Sequence, residues 1–277
     1  MKSILVPTDF SNNANTAIEY ACELANLLGA EVLVVNAYTP AVTQYNIVSP
    51  LIEEETGRAR RLAMEKLSSI SEVAEKKYDS LTFKTEFVVG GIIEVIEELI
   101  DQNKTDLVVM GTKGASGLDK ILFGSNATRV IEKVKCPVLA IPSNCSFQAP
   151  KRIVYATDFH DKELNHVDDL VSVAGAFKAE LMMAHITTDK EALQSEEMLK
   201  RNFAKRVSSL TNYEAITYFA KYEEDVTRAL DSFTTQVSAD WIAMLTHKRS
   251  VLEKFYNPSL TKAMAYQTKI PLLALKA

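Results

Sequence analysis

Three things are scarce in this chain. No apolar run approaches the ~20 residues that a bilayer-spanning helix needs, so no membrane segment is expected. Basic charge is not in excess: 31 Lys and Arg stand against 36 Asp and Glu, a net charge of -5. No global field then draws the chain to nucleic acid, and neither nucleic acid nor a membrane is expected as a partner. Cysteine is limited to Cys22, Cys136 and Cys145, with neither metal spacing nor a disulfide framework. Cys22 and Cys136 lie in apolar patterns and are expected as core thiols. The N-terminal stretch Met1 to Asp9 lacks the long apolar centre and cleavage site of a signal peptide. It reads as a first strand, and a cytoplasmic address is the expectation. What is present is a core-forming composition, 47% hydrophobic and 24% charged over 277 residues, enough for roughly two domains.

An internal repeat organises the chain. Ile4-Leu5-Val6-Pro7-Thr8-Asp9-Phe10 matches Ile153-Val154-Tyr155-Ala156-Thr157-Asp158-Phe159 at a shift of 149, and Ala30–Val34 matches Ala179–Met183 at the same shift. Asp106–Met110 then matches Asp240–Met244, and Cys136–Ala140 matches Ile270–Ala274, at a shift of 134. The second copy therefore lacks 15 residues in its middle. Most of that loss is expected in Tyr38–Pro50, a segment with two prolines. A polar linker bounded by Pro142 and Pro150 separates a first domain, 1–142, from a second, 151–277.

Within the first copy the periodicities alternate. Residues 3–6, 32–35, 83–89, 107–110 and 138–141 are apolar runs or alternations of strand length. Ala14, Ala17, Ile18, Ala21, Leu24, Ala25 and Leu28 form a helical stripe that Gly29 is suited to end. Further stripes run through Ala59–Ala74, Ile92–Ile100 and Ala127–Val134. Strict strand–helix alternation with strands apolar on both sides predicts an α/β fold: a parallel sheet with helices on both faces, built twice in tandem.

In such a sheet, ligands bind beyond the carboxyl ends of the strands, where the strand order reverses. Two loops qualify: Pro7-Thr8-Asp9 after strand one, and Met110 to Ala127 after strand four. Gly111, Gly114 and Gly117 let the second loop turn tightly and bring N–H groups to a ligand. Gly124-Ser125 opens a helix whose free N–H groups suit a phosphate, and Lys113 and Lys120 supply charge. The loop is neither a Walker loop nor a dinucleotide fingerprint. A glycine loop with an ordinary helix cap is the competing reading.

The spacing Gly111-x2-Gly114-x9-Gly124-Ser125, with Pro7-Thr8-Asp9 and Cys136-Pro137-Val138-Leu139, resembles the nucleotide motif of the universal stress protein family. As a tandem pair the resemblance covers nearly the whole chain. It implies five-stranded sheets ordered 3-2-1-4-5, ATP or AMP as ligand, and a role in stress response. Pro7, Thr8 and Asp9 are then expected near adenine and ribose, and Ala37 offers its backbone to the base. Met110, Gly111, Lys113, Gly114, Gly124, Ser125, Asn126 and Ala127 are expected to hold ribose and phosphates. Asn126 and Ala127 depart from the valine or hydroxyl residue common there. The resemblance also implies that the two apolar fifth strands pair across a pseudo-twofold axis, a fused homodimer that can self-associate further.

In the second copy Leu245, Lys248 and Pro258 replace Gly111, Gly114 and Gly124, so the expectation is one nucleotide per chain. Asp158, His160, His185 and His247 fall near one end of that sheet. A metal site is one reading of them, and polar residues on a solvated rim the other. No paired carboxylates flank the first cradle, which favours action by binding rather than turnover. Asp9 can carry Mg2+ as readily as touch ribose, so a slow ATPase is the alternative. A partner-binding module, with segment 38–50 as its contact, is a third. Tyr38 and Tyr45 are candidate stackers on a base.

Overall fold

The computed structural model describes residues 1–40, 50–103, 105–112, 125–143, 145–246 and 269–276. Contacts divide the chain into two units, Met1–Phe147 and Gln148–Ala277.

The first unit alternates without exception. It runs β1 (Ser3–Pro7), α1 (Asn12–Leu28), β2 (Glu31–Tyr38), α2 (Pro50–Lys77), β3 (Phe83–Val89), α3 (Ile92–Asn103), β4 (Leu107–Gly111), α4 (Ser125–Lys133) and β5 (Val138–Ile141). All four pairings are parallel, and the order is β3-β2-β1-β4-β5. Every residue of β1 is buried, whereas the edge strand β3 alternates between exposed and covered positions. Right-handed crossovers place helices on one face while the order runs outward to β3, and on the other once it returns to β4. Glu23 of α1 accordingly meets Lys77 of α2 at 2.9 Å, and α3 packs on α4.

Local chemistry sets the ends of α1. Ser11 caps its start, its hydroxyl accepting the Ala14 N–H at 3.1 Å. Gly29 ends it at φ 65°, the left-handed conformation that costs glycine least. Asp106, just before β4, accepts backbone N–H groups from Lys2 and Ser3. That clamp pins the start of β1 beside β4.

The second unit repeats the plan. It has β6 (Arg152–Ala156), a 3-10 turn (Asp161–His166), α5 (Val167–Phe177), β7 (Glu180–Thr187), α6 (Leu193–Leu210), β8 (Ile216–Tyr222), α7 (Val226–Gln236), β9 (Trp241–Thr246) and β10 (Leu272–Lys276). Its parallel order is β8-β7-β6-β9-β10. Asp240 repeats the Asp106 clamp, accepting N–H groups of Lys151 at 2.7 Å and Arg152 at 2.9 Å. Trp241 is buried at the start of β9, and Cys22 and Cys136 are buried in the first unit. Burial pushes the Cys22 thiol up to about 12.

Two expectations need correction. The missing residues of the second copy are not mainly in Tyr38–Pro50. Helix α2 has 28 residues and α6 has 18, so ten of the missing residues belong to the helix. Tyr38, given as the first residue of that segment, is itself the last residue of β2. Val32 pairs with Phe83 and Leu181 with Ile216, an offset of 133 for the third strands. Leu193 therefore aligns with Arg60, and the first ten residues of α2 have no counterpart in α6.

Candidate functional site

The strand order reverses between β1 and β4, so the switch point lies beyond Pro7 and Gly111. Beside it β2 runs on. Its pairing with β1 ends at Pro7 opposite Val35, and Thr8 N–H then donates to Val35 O at 2.8 Å. Successive peptide groups of a strand point to opposite sides. Val35 thus faces β1, and Tyr38 faces β3, its carbonyl accepting the Gly90 N–H at 2.9 Å. The N–H and C=O of Ala37 consequently point to the β1 side, past the last paired residue of β1. Among the described residues no strand pairs with β2 beyond that point on this side, so one donor and one acceptor stand together on its edge.

The β1–α1 turn is tied by short-range bonds. Thr8 Oγ1 accepts the Phe10 N–H at 3.0 Å, and Asp9 Oδ1 accepts the Ser11 N–H at 3.0 Å. Phe10 sits at φ 62°, a left-handed conformation unusual for an aromatic residue. Asn36 Nδ2 donates to Thr8 O at 2.8 Å, joining the turn to β2. Pro7 and Thr8 are buried, while the Asp9 side chain is exposed.

Gly111 has a structural reason to be glycine. A Cβ built there would lie 2.7 Å from Asn13 Oδ1 and 2.8 Å from the Asn13 backbone carbonyl. Asn13 in turn donates from Nδ2 to Ile141 O at 3.3 Å, and Thr112 N–H donates to the same carbonyl at 3.0 Å. The residue lets β4 approach the first turn of α1, a packing demand beside the ligand demand read from the sequence. Met110 and Ala127 are buried and Asn126 is exposed. Ala127 can therefore reach a ligand through its backbone rather than its methyl group. Ser125 lies in α4. Lys113, Gly114, Gly117, Lys120 and Gly124 lie outside the described residues, as do Tyr45, His247, Lys248 and Pro258.

Tyr38 does not stand ready for a base. Its ring stacks on Phe87, centroids 6.2 Å apart, and its hydroxyl donates to Glu55 Oε1 at 3.1 Å. Sequence reasoning also passed over Asn13 and Asn36. For Asn36 the signal existed: the repeat aligns it with His185, a second polar residue inside an otherwise apolar strand. A separate cleft of about 300 Å3, lined by Lys2, Gly29, Glu31 and Thr82 among others, opens at the amino end of the strands, away from the switch point.

In the second copy the same turn carries different chemistry. Thr157 Oγ1 accepts the Phe159 N–H at 2.9 Å, with Phe159 at φ 55°. His185 Nδ1 takes the place of the Asn36 amide, 2.8 Å from Thr157 O. Its Nε2 lies 3.4 Å from Glu196 Oε2. Glu163, where the first copy has Ala14, is buried. It accepts the Tyr155 hydroxyl at 2.6 Å and the Asp158 N–H at 2.9 Å. Burial, then the Glu163 carboxylate, push the Tyr155 hydroxyl far above the usual phenol range. Among the described residues, no group of three or more His, Cys, Asp and Glu is arranged to hold a metal.

Comparisons with known proteins agree on one family. A profile of the Universal stress protein family matches residues 1–142. A universal stress protein of Methanocaldococcus jannaschii is 33% identical over 147 residues, which span 50% of this chain and 81% of that protein. One of Thermus aquaticus is 31% identical over 141 residues, spanning 50% of this chain and 98% of that protein. Among solved structures, a universal stress protein from Archaeoglobus fulgidus superposes with a TM-score of 0.68 at 18% identity, over 99% of this chain and 96% of its own. That likeness extends over both copies, and it concerns the fold. With the profile covering the first copy and the parallel order 3-2-1-4-5 built twice, the chain belongs to the universal stress protein family.

Proposed function

We propose that the first copy binds an adenine nucleotide, ATP or AMP, at the carboxyl end of β1, β2 and β4, and acts through its bound state rather than by turnover. The observation that carries this reading is the open edge at Ala37. Its N–H donor and C=O acceptor complement the edge of adenine, where the N1 acceptor adjoins the N6 amine. Guanine offers the reverse order on that edge, so the same pair disfavours it. Pro7, Thr8 and Asp9 flank the base and ribose in this reading. Gly111, Ser125, Asn126 and the Ala127 N–H serve ribose and phosphates in this reading, with Lys113, Gly114 and Gly124 from the intervening sequence. The N–H groups at the start of α4 suit an anion.

The second copy is read as empty of nucleotide. Its strand also leaves a peptide edge open at Ile186, but Glu163 and Asp158 set two carboxylates at the neighbouring turn. At the phosphate end Leu245, Lys248 and Pro258 replace Gly111, Gly114 and Gly124, which removes the close backbone approach and one N–H.

Thermal unfolding tests the reading. A ligand at a hundred times its Kd stabilises the form that binds it by about 2.7 kcal/mol, so AMP or ATP should raise the melting temperature by several degrees. GMP should have little effect, and Gly114→Val should remove the response. No shift with either adenine nucleotide contradicts the proposal.

A further inference from the structure

We infer that a brace formed by Tyr38, Phe87, Arg60 and Glu55 sets the base preference of the first copy by fixing the Ala37 peptide. The inference rests on the reading of Ala37 as the base-contacting residue. The carbonyl of Ala37 and the N–H of Tyr38 belong to one rigid, planar peptide unit, so whatever holds Tyr38 holds that carbonyl. Tyr38 is held three ways. Its own carbonyl accepts the Gly90 N–H at 2.9 Å. Its ring stacks on Phe87 at 6.2 Å with an interplanar angle of 26°. Its hydroxyl donates to Glu55 Oε1 at 3.1 Å. Arg60 closes the stack, its guanidinium 4.9 Å from the centroid of Phe87. Glu55 lies on the ten-residue extension of α2, and Arg60 follows directly after it.

The second copy shows that the fold does not need this brace. At the shift of 149, Thr187 replaces Tyr38, and at the third-strand offset Ala220 replaces Phe87. Helix α6 begins at the position of Arg60, so Glu55 has no counterpart there. Among the described residues, the Thr187 hydroxyl makes a local turn with Asp189. Strand β7 nevertheless keeps its full parallel register with β8 through Thr187 and Tyr222. Four side chains, two of them an aromatic pair, and an extra length of helix thus converge on the peptide beside Ala37 in one copy and are all missing from the other. Their role belongs to what the first copy does and the second does not. Tyr38 and Glu55 are positioning residues: they act on the base through the Ala37 backbone.

The test is the ratio of affinities for AMP and IMP, measured by calorimetric titration of the full chain. IMP carries N1–H and O6 where AMP carries N1 and the N6 amine, so a well-held Ala37 discriminates between them. A single hydrogen bond of this kind contributes about 1 kcal/mol net. Tyr38→Ala should therefore shrink the AMP preference by about fivefold. Tyr38→Phe keeps the stack and loses the hydroxyl, so it should shrink the preference by about threefold. Glu55→Ala should match Tyr38→Phe, and Glu55→Gln, which keeps an acceptor, should restore the ratio. Equal weakening of AMP and IMP in Tyr38→Ala and Tyr38→Phe would mean general loosening and would overturn the inference, as would unchanged binding. Wild-type protein that binds neither nucleotide would overturn the Ala37 reading, and this inference with it.

Discussion

The two copies differ at the turn after the first strand, and what they share there is as telling as what they do not. Both have a threonine hydroxyl that accepts the N–H of a left-handed phenylalanine, and both have a polar side chain from the second strand that bonds the threonine carbonyl. These groups recur whatever surrounds them, so they belong to the scaffold. The strained Phe10 is thereby no sign of a ligand site, because Phe159 carries the same strain beside a buried carboxylate. What belongs to the first copy alone is Asn13 against Gly111, the Tyr38 brace and the glycine-rich sequence after β4. What belongs to the second is Glu163, with Tyr155 and Asp158 folded onto it. Duplication has left an internal control, in which the retained bonds mark fold and the altered ones mark function.

The largest expected effect comes from importing the second copy's residue at Gly111. Gly111→Leu forces a side chain into the Asn13 carbonyl. It should cost roughly 3 kcal/mol or more, beyond ordinary overpacking, because a backbone atom rather than a rotamer must yield. The second copy carries Leu245 there, and it has a 3-10 turn in place of a regular first helical turn. Chemical denaturation followed by fluorescence should show the first transition moving to lower denaturant. A neutral result would mean that α1 has room to retreat.

Next in size is Glu163→Ala, which makes the second copy resemble the first at that position. The Tyr155 hydroxyl and the Asp158 N–H both lose their acceptor. The expected loss is about 2–3 kcal/mol, since buried unsatisfied donors cost about 1–3 kcal/mol. It should fall on the second unit. Hydrogen exchange that loosens residues 152–187 and spares the first unit checks this; equal loosening of both would break the comparison.

The smallest effect is a gain. Gly29 ends α1 at φ 65°, and its counterpart Lys178 ends α5 at φ 55°. A side chain in that conformation costs roughly 1 kcal/mol more than glycine. Lys178→Gly should raise the melting temperature of the second unit slightly, and Gly29→Lys should lower that of the first. Opposite signs would mean that contacts of the Lys178 side chain outweigh the backbone.

Much of this was legible in the sequence, for a physical reason. Hydrophobic period reports which faces are buried, so strands, helices and their alternation could be read directly, and Gly29 marked a helix end. Period does not report which distant residue lies opposite. Tyr38 looks like a free stacker until Phe87, far along the chain, is seen beneath it. Gly111 looks like a ligand glycine until Asn13 is seen to fill its side-chain space. The shortened α6 was placed in the preceding segment because prolines suggest loops, whereas the helix itself carried most of the difference.

The most direct test of the central claim is the stoichiometry of adenine-nucleotide binding to the intact chain by calorimetric titration. The account predicts one AMP or ATP per chain, unchanged by Ile186→Pro in the second copy and abolished by Gly114→Val in the first. Two nucleotides per chain, or one that survives Gly114→Val, would contradict it.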